Sequence, residues 1–352
     1  MKPTSGNGKI RVGLTFNCRR VENSVQEKVD CHAEYDRPST IQAIREALES
    51  LGHEVVELEA DATLPGKISC TPLDVVFNIA EGTQGRSRES QVPALLELMG
   101  IPYSGSDPAA LSICHDKSLA KKVVGQAGIL TAKFFTFATG EERIPADVQF
   151  PFMVKPAAEG SSKGIHLSSV VENERDLRER AKEYIAKYHQ PVLIEEFLPG
   201  REFTVGMLGE SDPRVLPIME VVFTNQAHKF PVYSFLSKID ASDVRLDVPA
   251  DIPAALLQAL QRTARAAFVA LGCRDVSRMD FRLNAKGEVY FIECNPLPGI
   301  VPNFSDLSVM ATAAGMTYPA LVAEILAPAL RRRAETLAHQ TGHSDSQGEV
   351  SL

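Results

Sequence analysis

The strongest constraint on this chain is the stretch from Arg278 to Asn295, which runs Arg278-Met-Asp280-Phe-Arg282-Leu-Asn-Ala-Lys-Gly-Glu-Val-Tyr-Phe-Ile-Glu293-Cys-Asn295. The pattern predicts two short strands joined by a tight turn at Asn284-Ala-Lys-Gly287, with Gly287 in a positive-φ position. If Leu283 faces Glu288, Arg278 lies opposite Glu293 and Asp280 opposite Phe291. Opposite residues share a face, and so do residues two apart on one strand. Arg278, Asp280, Glu293 and Asn295 therefore project to one side. One cation, two carboxylates and a carboxamide converge there, and hard oxygen donors with open positions suit Mg²⁺ carrying phosphates. A slip of one residue would destroy this face. An exposed hairpin with a surface ion pair has the same local pattern, so the rest of the chain must decide.

Before the hairpin, strands and helices alternate. Lys9–Phe16 is a β-branched first strand. Pro38-Ser39-Thr40 opens a helix whose Ile41, Ile44, Leu48 and Leu51 form one apolar stripe, ended by Gly52. His53–Leu58 is a second strand. Asp74–Asn78 is a third, apolar enough to be a parallel strand buried on both faces. Residues 88–100 form another helix, closed by Gly100. This alternation predicts an α/β, doubly wound domain over residues 1–115, with ligands beyond the carboxyl ends of its strands. The candidates at that end include Glu81 and the loop Glu81-Gly-Thr-Gln-Gly-Arg86-Ser-Arg88-Glu-Ser90, either a recognition loop for a small charged substrate or a solvated connection. Glu34 and Asp36, just before the first helix, have the same status.

Further on, Lys117 opens a helix, and Ile129–Phe137 and Phe150–Pro156 are strand-like. Lys155 ends the second of these, before Ala157-Ala-Glu-Gly160-Ser161-Ser162-Lys163-Gly164. A Gly/Ser loop bracketed by lysines can cradle phosphate with its N–H groups and side-chain charge, although it is not a Walker A motif and a hairpin turn is the commoner explanation. Residues 170–188 make a highly charged helix. Pro191–Leu198 and Arg201–Leu208 are strands around a hinge-like Pro199-Gly200 turn, followed by a further strand over Leu216–Phe223. Lys238 sits in an isolated loop. Pro253–Gly272 is an amphipathic helix, and the final helices cover 306–315 and 318–330. Residues 331–352 are expected to be a disordered tail.

The totals exclude several classes. At 352 residues, with 44% apolar and 23% charged side chains, the chain has room for more than one globular domain. A net charge of −8 argues against nucleic acid as a partner. The six cysteines show no CxxC or CxxH spacing, which fits free, packed thiols in a reducing compartment. No run approaches the roughly twenty apolar residues of a membrane span, so the expected location is cytoplasmic.

Taken in order, Lys117, Val154-Lys155-Pro156, Glu159-Gly160-Ser161-Ser162, Leu193-Ile-Glu195-Glu196-Phe197-Leu198, Glu202, Arg278-Met-Asp280 and Glu293-Cys-Asn295-Pro-Leu-Pro-Gly299 resemble the ATP-grasp superfamily, and within it the D-alanine–D-alanine ligase family. Leu96-Glu-Leu-Met-Gly100-Ile-Pro-Tyr-Ser-Gly-Ser106 is similar as well. The resemblance implies a doubly wound first domain followed by a two-part ATP-grasp fold, with a small mobile subdomain over 116–195 and a catalytic domain over 196–330. It implies ATP and two Mg²⁺ ions, with Mn²⁺ as a substitute. By resemblance, Lys117, Lys155, Ser161 and Ser162 contact phosphates, and Lys238 reaches the γ-phosphate. Glu195, Phe197 and Leu198 hold adenine, and Glu202 binds ribose. Asp280, Glu293 and Asn295 hold the metal ions. Arg278 and the Gly299 N–H stabilise a tetrahedral centre, with Ser161 completing the catalytic set. The implied reaction makes an acyl phosphate from a small carboxylate, and an amine then attacks it. Such a site works by neutralising charge and holding reactants in line.

The amino-acid half departs from that pattern. Where the family carries an HGxxGEDG-like loop, residues 81–90 hold no histidine and two arginines. The family's early glutamate has no clean match, with Glu34 or Asp36 nearby. Asn303 and Ser305 fall about one residue out of register with the second substrate's carboxylate site. The expectation is therefore a carboxylate–amine ligase of this family acting on substrates other than two D-alanines, with Arg86 and Arg88 facing an anionic group. An authentic D-alanine–D-alanine ligase is the alternative, and a non-catalytic ATP-binding protein a weaker one. A homodimer is an option that no residue selects.

Overall fold

The computed structural model describes residues 9–19, 34–160, 163–225, 228–233 and 243–344. Three parallel strands come first: β1 (Arg11–Phe16), β2 (Glu54–Glu59) and β3 (Val75–Asn78), in the order β2-β1-β3. Every residue of β3 is buried, as its unbroken apolar run requires. Helix α1 (Pro38–Ser50) starts with proline in its first turn and buries Ile41, Ile44 and Leu48 on one face. Helices α2 (Leu64–Cys70), α3 (Gln91–Leu98) and α4 (Pro108–His115) complete this layer. The sequence pattern had not indicated α2 or α4. Both begin at or beside a proline, and their apolar residues are too few to make a long stripe. The helix expected over 88–100 is shorter, because residues 88–90 form a 3-10 turn first.

Helix α5 (Lys117–Gln126) leads to the second sheet: β4 (Phe134–Phe137), β5 (Phe152–Pro156), β6 (Val170–Val171) and β7 (Val192–Glu196), antiparallel in the order β4-β7-β5-β6. The strand expected over 129–137 is divided. Thr131 bridges to Phe291 in another sheet, and only the last four residues join β7. Helix α6 (Glu174–Tyr188) begins late because Asn173 caps it, accepting from Asp176 N at 3.0 Å. Its Leu177, Ala181 and Tyr184 are buried among the apolar residues of this small sheet, and its other faces carry the charge.

The third sheet holds β8 (Glu202–Gly209), β9 (Arg214–Val215), β10 (Met219–Phe223), β11 (Val244–Asp247), β12 (Asp275–Leu283) and β13 (Val289–Asn295). Its order is β11-β10-β8-β12-β13, with β9 beside β8. The strands flanking Pro199-Gly200 are not a hairpin: β7 belongs to the small sheet and β8 lies inside the large one. Gly200 makes that crossing possible, because a Cβ there would lie 2.5 Å from the Leu283 carbonyl oxygen. Helix α7 (Ala254–Ala270) packs on this sheet, and α8 (Asp306–Ala313) and α9 (Tyr318–Ser344) pack between it and β1, β3 and α1. Helix α9 corrects the expected tail as far as Ser344. Arg332 pairs with buried Asp275 at 2.6 Å, and Arg333 pairs with Asp74, so the segment after Leu330 is tied to the protein. Among the described residues no single helix is long and apolar enough to cross a membrane.

Candidate active site

The β12–β13 hairpin carries the expected face in a different register. Asn284 Oδ1 organises the turn, accepting from Lys286 N at 2.9 Å and Glu288 N at 3.0 Å. Leu283 pairs with Val289, Phe281 with Phe291, Asp280 with Glu293 and Arg278 with Asn295, with an irregularity between the Phe281 and Asp280 pairs. The expected pairs Leu283–Glu288, Arg278–Glu293 and Asp280–Phe291 are thus corrected. The extra residue is Ile292, a bulge that restores the parity of the face. Thr204 on neighbouring β8 donates to Asp280 Oδ1 at 2.8 Å. Arg278 lies 3.0 Å from Asp280, 3.8 Å from Glu293 and 3.4 Å from Asp306. Burial opposes the Arg278 charge, yet Asp280, Asp306 and Glu293 more than offset it and strengthen its hold on the proton.

Opposite this face stand the lysines. Lys117 Nζ is 3.1 Å from Glu293 and donates to the Glu159 carbonyl at 2.6 Å. Burial would raise the Glu293 carboxyl, but Lys117, Lys155 and Arg278 hold it well below the carboxylate range. Lys155 Nζ sits 2.5 Å from one oxygen of Glu195, and Lys121 Nζ 2.7 Å from the other. All three side chains are buried, and against that burial the two lysines bring Glu195 down to about 2. Burial lowers Lys121 despite Glu195, whereas Glu195 and Glu293 raise Lys155 against its burial. Glu195 is therefore engaged as the counter-charge of two lysines at the cleft wall.

Between these walls runs a cleft enclosing roughly 700 Å³, open mouth included, and lined among others by Lys155, Phe197, Leu198, Glu202, Asp280 and Glu293. Arg282 stacks 4.6 Å from the Phe197 ring centre and lies 3.3 Å from Glu202. Asn295 Oδ1 accepts from Leu297 N at 2.9 Å, which starts the chain reversal towards Gly299. Ser305 Oγ accepts from Val301 N at 3.0 Å and lies 3.2 Å from where a Cβ on Gly299 would stand. Asn303 is exposed with φ +58°, a conformation that asparagine tolerates better than most residues. Ser161, Ser162 and Lys238 lie outside the described residues.

The 81–90 loop is built around charge pairs within the protein. Arg86 lies 2.6 Å from Asp116, the residue that caps α5 through Ser118 N and Leu119 N. Arg88 is 2.7 Å from Glu34 and 2.6 Å from His115 Nε2, while His115 Nδ1 meets Glu89 at 2.6 Å. Glu34 also accepts from Gly160 N at 2.7 Å and Lys163 Nζ at 2.9 Å. Burial would raise Glu34, yet Arg88 and Lys163 hold it at about 2. Glu81 behaves oppositely: burial and then Glu89 and Glu34 push it well up. Gly160 leaves room for this approach, since a Cβ there would lie 2.5 Å from Glu34 Oε1 and displace that carboxylate.

Sequence reasoning missed Lys121, Thr204 and Asp306. Lys121 carried a signal, being one helical turn after Lys117. Thr204 carried none, because its contact with Asp280 depends on which strand neighbours β12. The donor chemistry fits a divalent ion with a nucleotide: Asp280 and Glu293 offer hard oxygens on one face, with buried lysines opposite.

Residues 123–327 match the model of the D-ala D-ala ligase C-terminus. The chain is 36% identical over 294 residues to a D-alanine–D-alanine ligase of Syntrophotalea carbinolica, covering 84% of this chain and 91% of the relative. It is 35% identical over 295 residues to the uncharacterized protein y4sG of Sinorhizobium fredii, covering 81% and 86%. In fold it is similar to the crystal structure of a D-alanine–D-alanine ligase from Bacillus anthracis complexed with ATP, with a TM-score of 0.72 at 24% identity, over 93% of this chain and 99% of that one.

Proposed function

The chain belongs to the D-alanine–D-alanine ligase family of ATP-grasp ligases, which form C–N bonds, and from that premise we propose that it joins a small carboxylate to an amine other than as two D-alanines. One observation carries this reading. Glu34 is, with Asp36, one of the two acids near the place of the family's early glutamate, and both its oxygens are already engaged by Arg88, Lys163 and Gly160 N–H. Cations of the protein thus occupy positions that would otherwise serve a substrate ammonium. A first substrate that meets Arg88 and Lys163 with an anionic group fits this arrangement better than D-alanine does.

In this reading Lys117 and Lys155 neutralise phosphate charge. Phe197 and Leu198 flank the base, and Glu202 takes the ribose. Asp280, Glu293 and Asn295 would hold two Mg²⁺ ions, whose chemistry is to draw charge off the transferring phosphoryl group. Arg278, with the Gly299 N–H, faces the oxygen that becomes negative when the amine attacks the acyl phosphate. Glu34 ties the Gly160 loop to the first unit, which keeps water from that acyl phosphate.

The test is phosphate release with ATP across a panel of amino acids and small carboxylates, with product masses. We expect the fastest turnover with a pair containing an anionic first substrate. Maximal turnover with D-alanine alone would overturn the proposal and favour the second reading, an authentic D-alanine–D-alanine ligase, which the identity to the Syntrophotalea enzyme supports.

A further inference from the structure

Cys114, Cys273 and Cys294 converge behind the candidate active site. They come from the end of α4, the turn before β12, and β13. Their sulfurs all lie within 4.8 Å of one another, and the Cys273 and Cys294 sulfurs are 3.7 Å apart. All three are free thiols, and only 3%, 7% and 5% of their surfaces reach solvent. Two sulfurs bound to one tetrahedral zinc at about 2.3 Å stand about 3.8 Å apart, so that pair needs almost no movement to share an ion.

We propose that the three sulfurs bind one thiophilic d¹⁰ cation, Zn²⁺ or Cu⁺. Soft sulfur donors without a hard oxygen ligand select such ions over Mg²⁺. Aliphatic and aromatic side chains such as Ala120, Val124 and Phe291 share this core, and in such apolar surroundings a bound cation would offset thiolate charge. The site is separate from the Mg²⁺ face. Cys294 lies between Glu293 and Asn295 and alternates to the opposite side of β13. A bound ion would clamp α4 and the turn before β12 to the back of the strand that presents Glu293 and Asn295. This site does not depend on which substrates the enzyme joins.

The experiment uses the full chain, reduced and stripped of metal. Zn²⁺ is titrated against a chromophoric chelator, Cu⁺ against a Cu⁺-specific chelator, and Co²⁺ serves as the spectroscopic probe for sulfur ligation. We expect one equivalent of Zn²⁺ or Cu⁺, a sulfur-to-cobalt charge-transfer band and a raised melting temperature. Cys114→Ala, Cys273→Ala and Cys294→Ala should each weaken binding by at least the ~10- to 100-fold that loss of even a supporting partner costs, whereas Cys70→Ala should not. Should a variant fail to fold, alkylation of the wild-type thiols mapped by peptide mass gives an independent answer, because bound metal must slow reaction at these three cysteines. Substoichiometric uptake, uptake unchanged in the three variants, or no protection from alkylation would overturn the proposal.

Discussion

Asp280 and Glu293 stand directly opposite each other across the β12–β13 hairpin, and the bulge at Ile292 puts them there. Continuing the register of the Leu283–Val289 and Phe281–Phe291 pairs would set Glu293 against Met279, which is wholly buried in the core. One inserted residue turns the carboxylate from the core to the cleft. Ile292→Ala should keep this pairing, whereas Asp280→Asn and Glu293→Gln should each remove one of its charges. The expected outcome is a loss of phosphate release of about 100-fold or more in the two carboxylate variants, with weakened nucleotide binding in the presence of Mg²⁺ by calorimetry. Folded Asp280→Asn and Glu293→Gln variants that bind and turn over like wild type would remove these residues from the metal site.

The Lys121–Glu195–Lys155 group makes a separate prediction about stability. Removing one partner of a buried charge group costs about 3–5 kcal/mol, because the remaining charges lose their compensation. Glu195→Gln should lower the free energy of urea unfolding by that order at pH 7. The Glu195 carboxyl is depressed from 4.5 to about 2 on folding. Its contribution is thus complete above 4.5 and disappears as pH falls towards 2. The difference between wild type and variant should shrink over that window, and a difference independent of pH would rule out the charge interaction as its source.

How far the site could be read before the fold was known divides along a physical line. That Lys155, Asp280 and Glu293 come together around one cleft was legible because each sits in a local pattern whose order along the chain is itself specific. Glu195 was legible as a position, but its engagement with Lys121 and Lys155 was not, since it depends on α5 packing against the small sheet. The Ile292 bulge was invisible for a similar reason: only the fit of both strands to their neighbours decides where an extra residue goes. Arg86 and Arg88 looked unpaired because a loop sequence does not reveal that Asp116 and Glu34 come within reach. At the C-terminus, Arg331-Arg-Arg333 looked solvated for want of an apolar stripe, whereas two of these arginines find buried or partly buried carboxylates from distant strands.

Asp36 should act against stability at neutral pH. Burial raises its carboxyl from 3.8 to about 7. The sign is opposite to that of Glu195: the folded protein favours the neutral form, so a penalty builds as pH rises above 3.8 and levels off above 7. Asp36→Asn mimics the neutral form. The variant should be more stable than wild type at pH 8 and nearly equal to it at pH 4, as measured by thermal unfolding at both values. Equal stability at pH 8 would mean that Asp36 is well solvated or paired.

The last prediction concerns the end of α9. Asp275 is fully buried with φ +66°, and its carboxylate accepts from Gly105 N at 2.8 Å and from two nitrogens of Arg332 at 2.9 and 2.6 Å. Arg332 also reaches the Tyr103 carbonyl at 2.8 Å. One side chain thus joins the C-terminal helix to the start of β12, the strand that carries Arg278 and Asp280, and to the loop leading into α4. Arg332→Ala should cost about 3–5 kcal/mol, since Asp275 would remain buried without its cation. Arg332→Lys should recover only part of this, because an ammonium cannot reproduce the paired geometry. Truncation after Leu330 should be at least as damaging as Arg332→Ala, because it removes Arg333 from Asp74 as well. Urea unfolding of the three variants decides the matter. If the truncated protein is as stable as the full chain, residues beyond 330 are a dispensable tail after all, and the Arg332–Asp275 pair contributes nothing to holding β12 in place.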